Sequence, residues 1–455
     1  MKAEIRYHNT LLNVEFPDTS RIYLSSYDTP AASESELVLE AVRNPICSES
    51  LVDSIKKRPR SSVIIAVSDI TRPIPYRAFL PALLEEIEST GIDRESIAIL
   101  IATGMHRPST AEERLIMFGR EVAGSYKFLD HHAEGDMASL SGTSYSGAPV
   151  KLNRVFAEAD YKIVIGLVEP HFMAGFSGGR KTICPGLSSL DTIKNLHGYE
   201  ILSHPKAVTA QLKGNPCHEE ALSVARLAGV DFSIQLVVNH EKKIIKAFGG
   251  DLFEAHTSAC NYVSEKACPV VDAEADVVVT GCGGYPLDAT FYQCVKALVT
   301  ALPCVRKGGT IIAAGGCMEG VGSQIYENML RKYMNDFPGF IRDIKTSDIV
   351  KDQWQIQMQA RVYEKTGLDK IHFFTHGIAS GHSSFLGVKI VEAASDRITG
   401  QLQKTVDDLA GKGCSFAVIP EGPYCAPQKT GLIIQELRGF LKGINTEFKR
   451  EGDRV

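Results

Sequence analysis

YKIVIGLVEPHFMAGFSGGRKTICPG, from Tyr161 to Gly186, runs an unbroken apolar strand pattern directly into a turn rich in glycine, histidine and lysine. A short apolar run closed by polar residues reads as a strand buried on both faces, the kind found in parallel sheets. Similar runs recur as SSVIIAVSD (61–69), ESIAILIATG (95–104) and FSIQLVVN (232–239) in the first half. The second half carries ADVVVTGCGG (275–284), GGTIIAAGG (308–316), DKIHFFTHG (369–377) and SFAVIPEG (415–422). Segments of helical character separate them, so the expected fold is α/β, with two domains that each hold a largely parallel, doubly wound, Rossmann-like sheet. Residues 241–269 read as a hairpin-like turn and a long helix leading out of the first domain. The expected division is therefore 1–269 and 270–430, with a helical tail over 431–455 that packs back on the first domain.

At 455 residues, 44% hydrophobic and 23% charged, the chain has the length and composition of a globular protein with more than one core. A net charge of -5 without a sustained Lys/Arg block leaves no electrostatic footprint for nucleic acid or an anionic membrane. The N-terminal MKAEIRYHNTLLNVEF alternates charged and apolar residues, unlike a signal peptide, and no later run reaches spanning length. The expected location is the cytoplasm, and the expected partner a small molecule. The 11 cysteines contain no C-x-x-C pair and read as reduced, mostly buried side chains, with Cys184 close to whatever the 169–198 segment binds.

Ligands of open parallel sheets bind beyond the carboxyl ends of the strands, which singles out the polar residues that close each run. These are Asp69, Thr71 and Arg72, then His106, then His171 through Lys181, with His197 one helix later. In the second half Tyr292, Gln293 and Lys296 fall on a predicted helix, where Gln293 and Lys296 share a face. A cleft between the domains is the expected meeting place. Singly, an Arg-Pro pair reads as a surface turn and a histidine after a strand as a solvated side chain. Jointly, three strand ends of one sheet delivering such groups argue for a site.

Gly175, Gly178 and Gly179, with Ser177, precede Lys181 and Thr182 and suggest a phosphate cradle. The P-loop pattern nearly fits from Gly175 and fails at Arg180, where its last glycine belongs. Arginine suits bidentate binding of a carboxylate or phosphate, and histidine suits proton transfer at neutral pH. Zinc hydrolysis is less attractive, because neither H-E-x-x-H nor a paired C-x-x-C occurs.

SDITRP (68–73), ATGMHRP (102–108), EPHFMAGFSGGRK (169–181), the PG at 185–186, NLHG (195–198) and YQCVKA (292–297) together resemble, in order and spacing, the nickel-dependent lactate racemase family of 2-hydroxy-acid racemases and epimerases. The resemblance implies a nickel-pincer nucleotide joined covalently to Lys181 and completed by His197 as metal ligand. It implies His106 and His171 as the acid/base pair. Cofactor contacts would come from Asp69, Thr71, Arg72, Gly175, Ser177, Gly178 and Gly179; substrate contacts from Arg72, Tyr292, Gln293, Lys296 and Trp354. Hydride transfer at C2 of a 2-hydroxy acid is the implied reaction, and cofactor biosynthesis enzymes are implied partners. Two rival readings stand beside it: a nucleotide-dependent phosphotransferase using residues 175–182, and a non-catalytic carrier of the nickel cofactor.

Overall fold

All eight apolar runs are strands in the computed structural model, which describes residues 1–58 and 62–429. The first sheet has six strands in the order Ile244–Gly250, Phe232–Val238, Tyr161–Leu167, Val63–Ser68, Ile97–Ala102, Lys127–Asp130. Its neighbours are parallel except for the edge pair formed by the 232–250 hairpin. Val63–Ser68 and Ile97–Ala102 each bury their first five residues, which is why the sequence shows continuous rather than alternating hydrophobicity. The chain moves outward from Val63–Ser68 to one edge and then returns to the other side at Tyr161–Leu167. That reversal opens a crevice at the carboxyl ends of these two strands.

The second sheet is fully parallel, in the order Lys389–Glu392, Ile371–Thr375, Val305–Ala314, Ala275–Gly281, Phe416–Ile419, Arg21–Ile22. Its order reverses between Ala275–Gly281 and Phe416–Ile419, so it too has a crevice at its strand ends. The helix Phe291–Thr300 follows Ala275–Gly281 and places Gln293 and Lys296 on one face. The long helix anticipated before residue 269 is Leu252–Ala267.

One expectation needs correction. The N-terminal strands Lys2–Tyr7 and Thr10–Glu15 form a hairpin whose Ile5, Tyr7, Leu12 and Val14 pack with Val277, Val279, Ile312 and Val418 of the second sheet. Arg21–Ile22 then becomes that sheet's edge. The start of the chain therefore belongs with the second sheet rather than with a unit running from residue 1. Alternating burial reveals that a hairpin covers an apolar face but not whose face it is, and a two-residue strand has no sequence signature. The helical tail expected over 431–455 lies outside the described residues.

The two halves share packed surface. Trp354, Ile356 and Met358 of the helix Gln353–Thr366 join Leu196, Ile201 and Leu202 of the first half in one apolar cluster. Arg361 on that helix donates to Ala207 O at 2.8 Å, to His204 O at 3.1 Å and to Leu202 O. Leu202 and His204 lie at the carboxyl end of the helix Tyr199–Ser203, where carbonyls lack intrahelical partners. Arg361→Met keeps the apolar stem and strands these acceptors. It should cost about 2–4 kcal/mol, read as a lower urea midpoint at unchanged slope; an unmoved midpoint would refute this docking role.

Candidate active site

Asp69 ends the Val63–Ser68 strand and is buried, with both carboxylate oxygens engaged. Its Oδ1 accepts from Thr71 Oγ1 at 2.5 Å and from Thr71 N at 3.2 Å, closing a local turn, and its Oδ2 lies 2.6 Å from His106 Nδ1. Burial pushes the Asp69 pKa up, but the hydrogen bonds from His106 and Thr71 and the Arg72 charge outweigh it and hold the carboxyl below its usual range. An ionised Asp69 accepts a hydrogen bond from His106 Nδ1–H, which leaves the Nε2 lone pair free to accept a proton. His106 is half exposed, its side chain at 55%. Asp69 and Thr71, named from the sequence as cofactor contacts, are thus seen as the support of His106.

His171 stands on the turn after Tyr161–Leu167, held by a two-residue ladder between Pro170–His171 and Gly175–Phe176. Met173 N and Ala174 N both point at its Nδ1 from 3.3 Å, and Lys181 Nζ lies 3.3 Å from its Nε2. With Nδ1 accepting, a neutral ring carries its proton on Nε2 and donates it to Lys181 Nζ when that amine is unprotonated. Burial, reinforced by the charges of Lys181, Arg72, Lys296 and His197, drives the His171 pKa well down. Burial also lowers Lys181 to about 8 and, with the help of Arg72, Lys296 to about 7.

His197 terminates the helix Leu190–Leu196, whose start is capped by Ser189 accepting from Thr192 N. Its Nδ1 donates to Ile193 O at 2.8 Å, so Nε2 bears the lone pair that a metal would take. Burial, with the Lys181 charge, lowers its pKa to about 4, so the ring is neutral at physiological pH. Its ring lies 4.7 Å from that of Trp354, and Trp354 Nε1 donates to Tyr292 Oη at 3.0 Å. Tyr292 in turn donates to Asp352 Oδ1 at 3.2 Å. Gln293 lies beside this network on the same helix, and its buried Oε1 has no hydrogen-bond partner. Lys351 Nζ reaches across to Met105 O at 3.4 Å, next to His106.

The glycine segment is tightly packed. The amides of Phe176, Ser177, Gly179, Lys181 and Thr182 are bonded to Ala174 O, Glu169 O, Gln235 Oε1, Gly178 O and Gly179 O, so they do not converge on an anion. Gly175 has φ +78° and a Cβ there would fall 2.2 Å from Gln211 O; at Gly179, φ +52°, it would fall 2.6 Å from the His256 ring. The glycines Gly175, Gly178 and Gly179 thus answer to positive φ and to close packing, and Ser177 donates to Leu167 O at 2.7 Å. Arg180, which broke the P-loop pattern, turns inward. It is 1% exposed and donates to Ala174 O at 2.7 Å, Phe176 O at 3.0 Å and His256 Nε2 at 2.8 Å.

The site therefore gathers His171, Lys181, His197, Arg72, Lys296, Tyr292 and Trp354 as the sequence anticipated, with His106 more exposed at the adjacent strand end. Sequence reasoning left four members without a role: Glu169, Asp352, Arg180 and His256. Glu169 stood inside a quoted motif, and Arg180 was marked only as a mismatch. Asp352 and His256 lie far away in sequence and carry no local pattern. Among the described residues no group of three or more His, Cys, Asp or Glu is arranged to hold a metal ion.

Family models agree with this architecture half by half. The lactate racemase N-terminal domain matches residues 7–210, and the lactate racemase C-terminal domain matches residues 270–423. Lactate racemase of Thermoanaerobacterium thermosaccharolyticum is 33% identical over 430 residues, covering 92% of this chain and 97% of that protein. Lactate racemase of Lactiplantibacillus plantarum is 34% identical over 403 residues, covering 86% and 90%. The solved lactate racemase apoprotein from T. thermosaccharolyticum superposes with a TM-score of 0.84 at 30% identity, covering 94% of this chain and all of that one. A Thermotoga maritima protein of 18% identity shares the fold with a TM-score of 0.63, covering 85% and 99%. This chain belongs to the lactate racemase family, a family of isomerases that depends on a nickel-based cofactor.

Proposed function

We propose that the protein interconverts the two configurations at C2 of a small 2-hydroxy acid, lactate being the first candidate, with a nickel-pincer nucleotide attached at Lys181. The observation that carries this reading is the 3.3 Å approach of Lys181 Nζ to His171 Nε2 inside a pocket crowded with cations. A lysine lowered to about 8 is partly unprotonated near neutrality, as an amine must be to form a covalent link. His197 beside it presents Nε2 as a free donor, which suits nickel. A nickel ion held at His197 would draw its remaining donors from the nucleotide itself.

Arg72 and Lys296 clamp the substrate carboxylate. An α-hydrogen beside a charged carboxylate is very weakly acidic, so removing it as a proton by histidine faces a large barrier. The bound cofactor supplies a hydride acceptor and donor at C2, a role that no side chain of the site can fill. The protein's own part is proton transfer at the hydroxyl. His106 Nε2 accepts the hydroxyl proton from one enantiomer, and Asp69 stabilises the imidazolium that results. His171 takes the hydroxyl proton of the other enantiomer; in either direction the product alkoxide draws its proton from the histidine on its own side, which is protonated from solvent, while the first histidine releases its proton to solvent. Reorientation of the planar 2-oxo acid between these events exchanges the two faces of C2. Tyr292 and Trp354 wall the His197 side.

The phosphotransferase reading is not favoured, since the amides of Ser177, Gly179, Lys181 and Thr182 are bonded within the fold and the Arg180 side chain is engaged by Ala174 O, Phe176 O and His256. The carrier reading is not favoured, since the two curated relatives reported above are both lactate racemases. Among the described residues no helix is long and apolar enough to cross a membrane. We place the protein in the cytoplasm, where cofactor biosynthesis enzymes would load Lys181.

Intact-mass and nickel analysis of protein co-produced with those enzymes should show an adduct and about one nickel per chain, both lost in Lys181→Ala; active protein with an unmodified Lys181 peptide would sink the assignment. His106→Ala and His171→Ala should each lower racemisation by about 10²–10⁴-fold with nickel content intact. Full activity in either variant would exclude the two-base scheme. Asp69→Asn should reduce kcat by at least about 10²-fold while His171-side cofactor loading persists; an unchanged kcat would show that His106 needs no carboxylate.

A further inference from the structure

We propose that Glu169 is the resident counter-ion of the substrate-carboxylate clamp, released from Arg72 and protonated when an anionic substrate takes its place. This rests on reading Arg72 and Lys296 as that clamp. Glu169 follows the Tyr161–Leu167 strand, two residues before His171. Its backbone is locked by Ser177, whose Oγ accepts from Glu169 N at 2.9 Å and whose N donates to Glu169 O at 2.9 Å. The main chain is thus fixed while the side chain stays free to turn.

The ion pair it makes is loose. Glu169 Oε2 lies 3.6 Å from Arg72 Nη1, with the two side chains 14% and 30% exposed. Hydrogen bonds to Arg72 are absent from the described residues at this contact, so its guanidinium fork is unspent. A ligand carboxylate forming two charge-assisted hydrogen bonds there would outcompete a contact of 3.6 Å. Two carboxylates sharing one clamp repel, and protonating Glu169 relieves this. One proton passes from solvent to the Glu169 carboxylate, and no other bond changes.

The displaced carboxyl has somewhere to go. Glu169 lines a small pocket between the two halves, open to solvent, at the crevices where both sheets reverse their strand order. Tyr27 and Tyr424 line it as well, and burial holds both phenols neutral, able to hydrogen-bond a carboxyl group. Arg6, His240 and Lys242 bring positive or titratable groups to the same wall. Glu421 is occupied by Ser25, which donates from N at 3.0 Å and from Oγ at 2.6 Å. Lys296, on the helix Phe291–Thr300, and His171 face the clamp side. Burial raises the Glu169 pKa despite the opposing charges of Arg72 and Lys296, so the carboxylate accepts a proton readily.

The sign follows directly. Anion binding that needs a proton on Glu169 weakens as pH rises through that group's folded pKa. Lys296, at about 7, weakens binding further as it loses its own proton, equally with or without Glu169.

Calorimetric titration of the cofactor-loaded protein with glycolate, an achiral 2-hydroxy acid that cannot be racemised, reads the proton directly. At about pH 6, where Lys296 is already mostly charged, heats in two buffers of different ionisation enthalpy should show uptake approaching one proton in the wild type. Glu169→Gln should take up less than half as much and bind about three- to tenfold tighter. Equal uptake in both proteins, or weaker binding by Glu169→Gln, overturns the proposal, since a merely structural glutamate would weaken binding when lost. Glu169→Asp guards against misfolding: it should keep the uptake and also bind tighter, and weaker binding there counts equally against the idea. If no variant binds glycolate while adduct and nickel are intact, the clamp reading fails and this inference with it.

Discussion

Desolvation of basic nitrogen is the constraint on which this site depends. A lysine in water is a cation and a poor nucleophile, and a histidine titrates near neutrality; the interior reverses both tendencies by penalising charge. Lys181, Lys296, His171 and His197 are all shifted downward with burial as the largest cause. The charges of Lys181, Lys296 and Arg72 then add to the penalty on their neighbours. That shared penalty needs a wall that water does not penetrate, and the wall is the helix Gln353–Thr366, brought in from the second half. Arg361 holds its far end on the first half, and Trp354 at its near end covers His197. Basicity at the centre and docking at the periphery are therefore one problem in energetics.

The legibility of this arrangement in the sequence followed the range of the forces involved. Strands such as Val63–Ser68 and Ala275–Gly281 are buried on both faces, so composition alone exposes them, and the residues that end them were marked by position. The alternation of the N-terminal segment was legible, but its place beside the second sheet was not, because its partner face lies more than two hundred residues away. Asp352 and His256 escaped notice for the same reason: each matters through a contact with a residue distant in the chain, and nothing beside it in sequence announces that. Asp69 was found, but its engagement with His106 could be seen only once two strand ends stood side by side.

The glycine segment shows how one pattern can arise from a different cause. Closely spaced glycines ahead of Lys-Thr suggest amides turned toward a phosphate, yet here the missing side chains make room for Gln211, His256 and Val168 to press on the main chain. The mismatch at position 180 was the informative residue. A glycine there would remove the donor that reaches both Ala174 O and Phe176 O, whereas Arg180 bridges the two and fixes the turn from which Lys181 projects. Its buried charge, with no carboxylate hydrogen-bonded to it, also adds to the field that keeps Lys181 from holding a proton.

The two acid/base histidines stand in unlike surroundings, one half exposed on an ionised aspartate, the other enclosed among cations. Enantiomers in water have equal free energy, so the ratio of kcat/KM in the two directions must be unity whatever the environments. Asymmetry in the protein can appear only in kcat and KM taken separately, each compensating the other. Asp69 holds the His106 ring by a hydrogen bond at Nδ1, while burial and the charges of Lys181, Arg72 and Lys296 disfavour the imidazolium form of His171. Under the proposed function, attachment of a cofactor at Lys181 would remove one of those opposing charges and a substrate carboxylate would offset the others, so that His171 would become a competent proton acceptor only when both are in place. An arrangement of this kind restrains proton chemistry in the empty site.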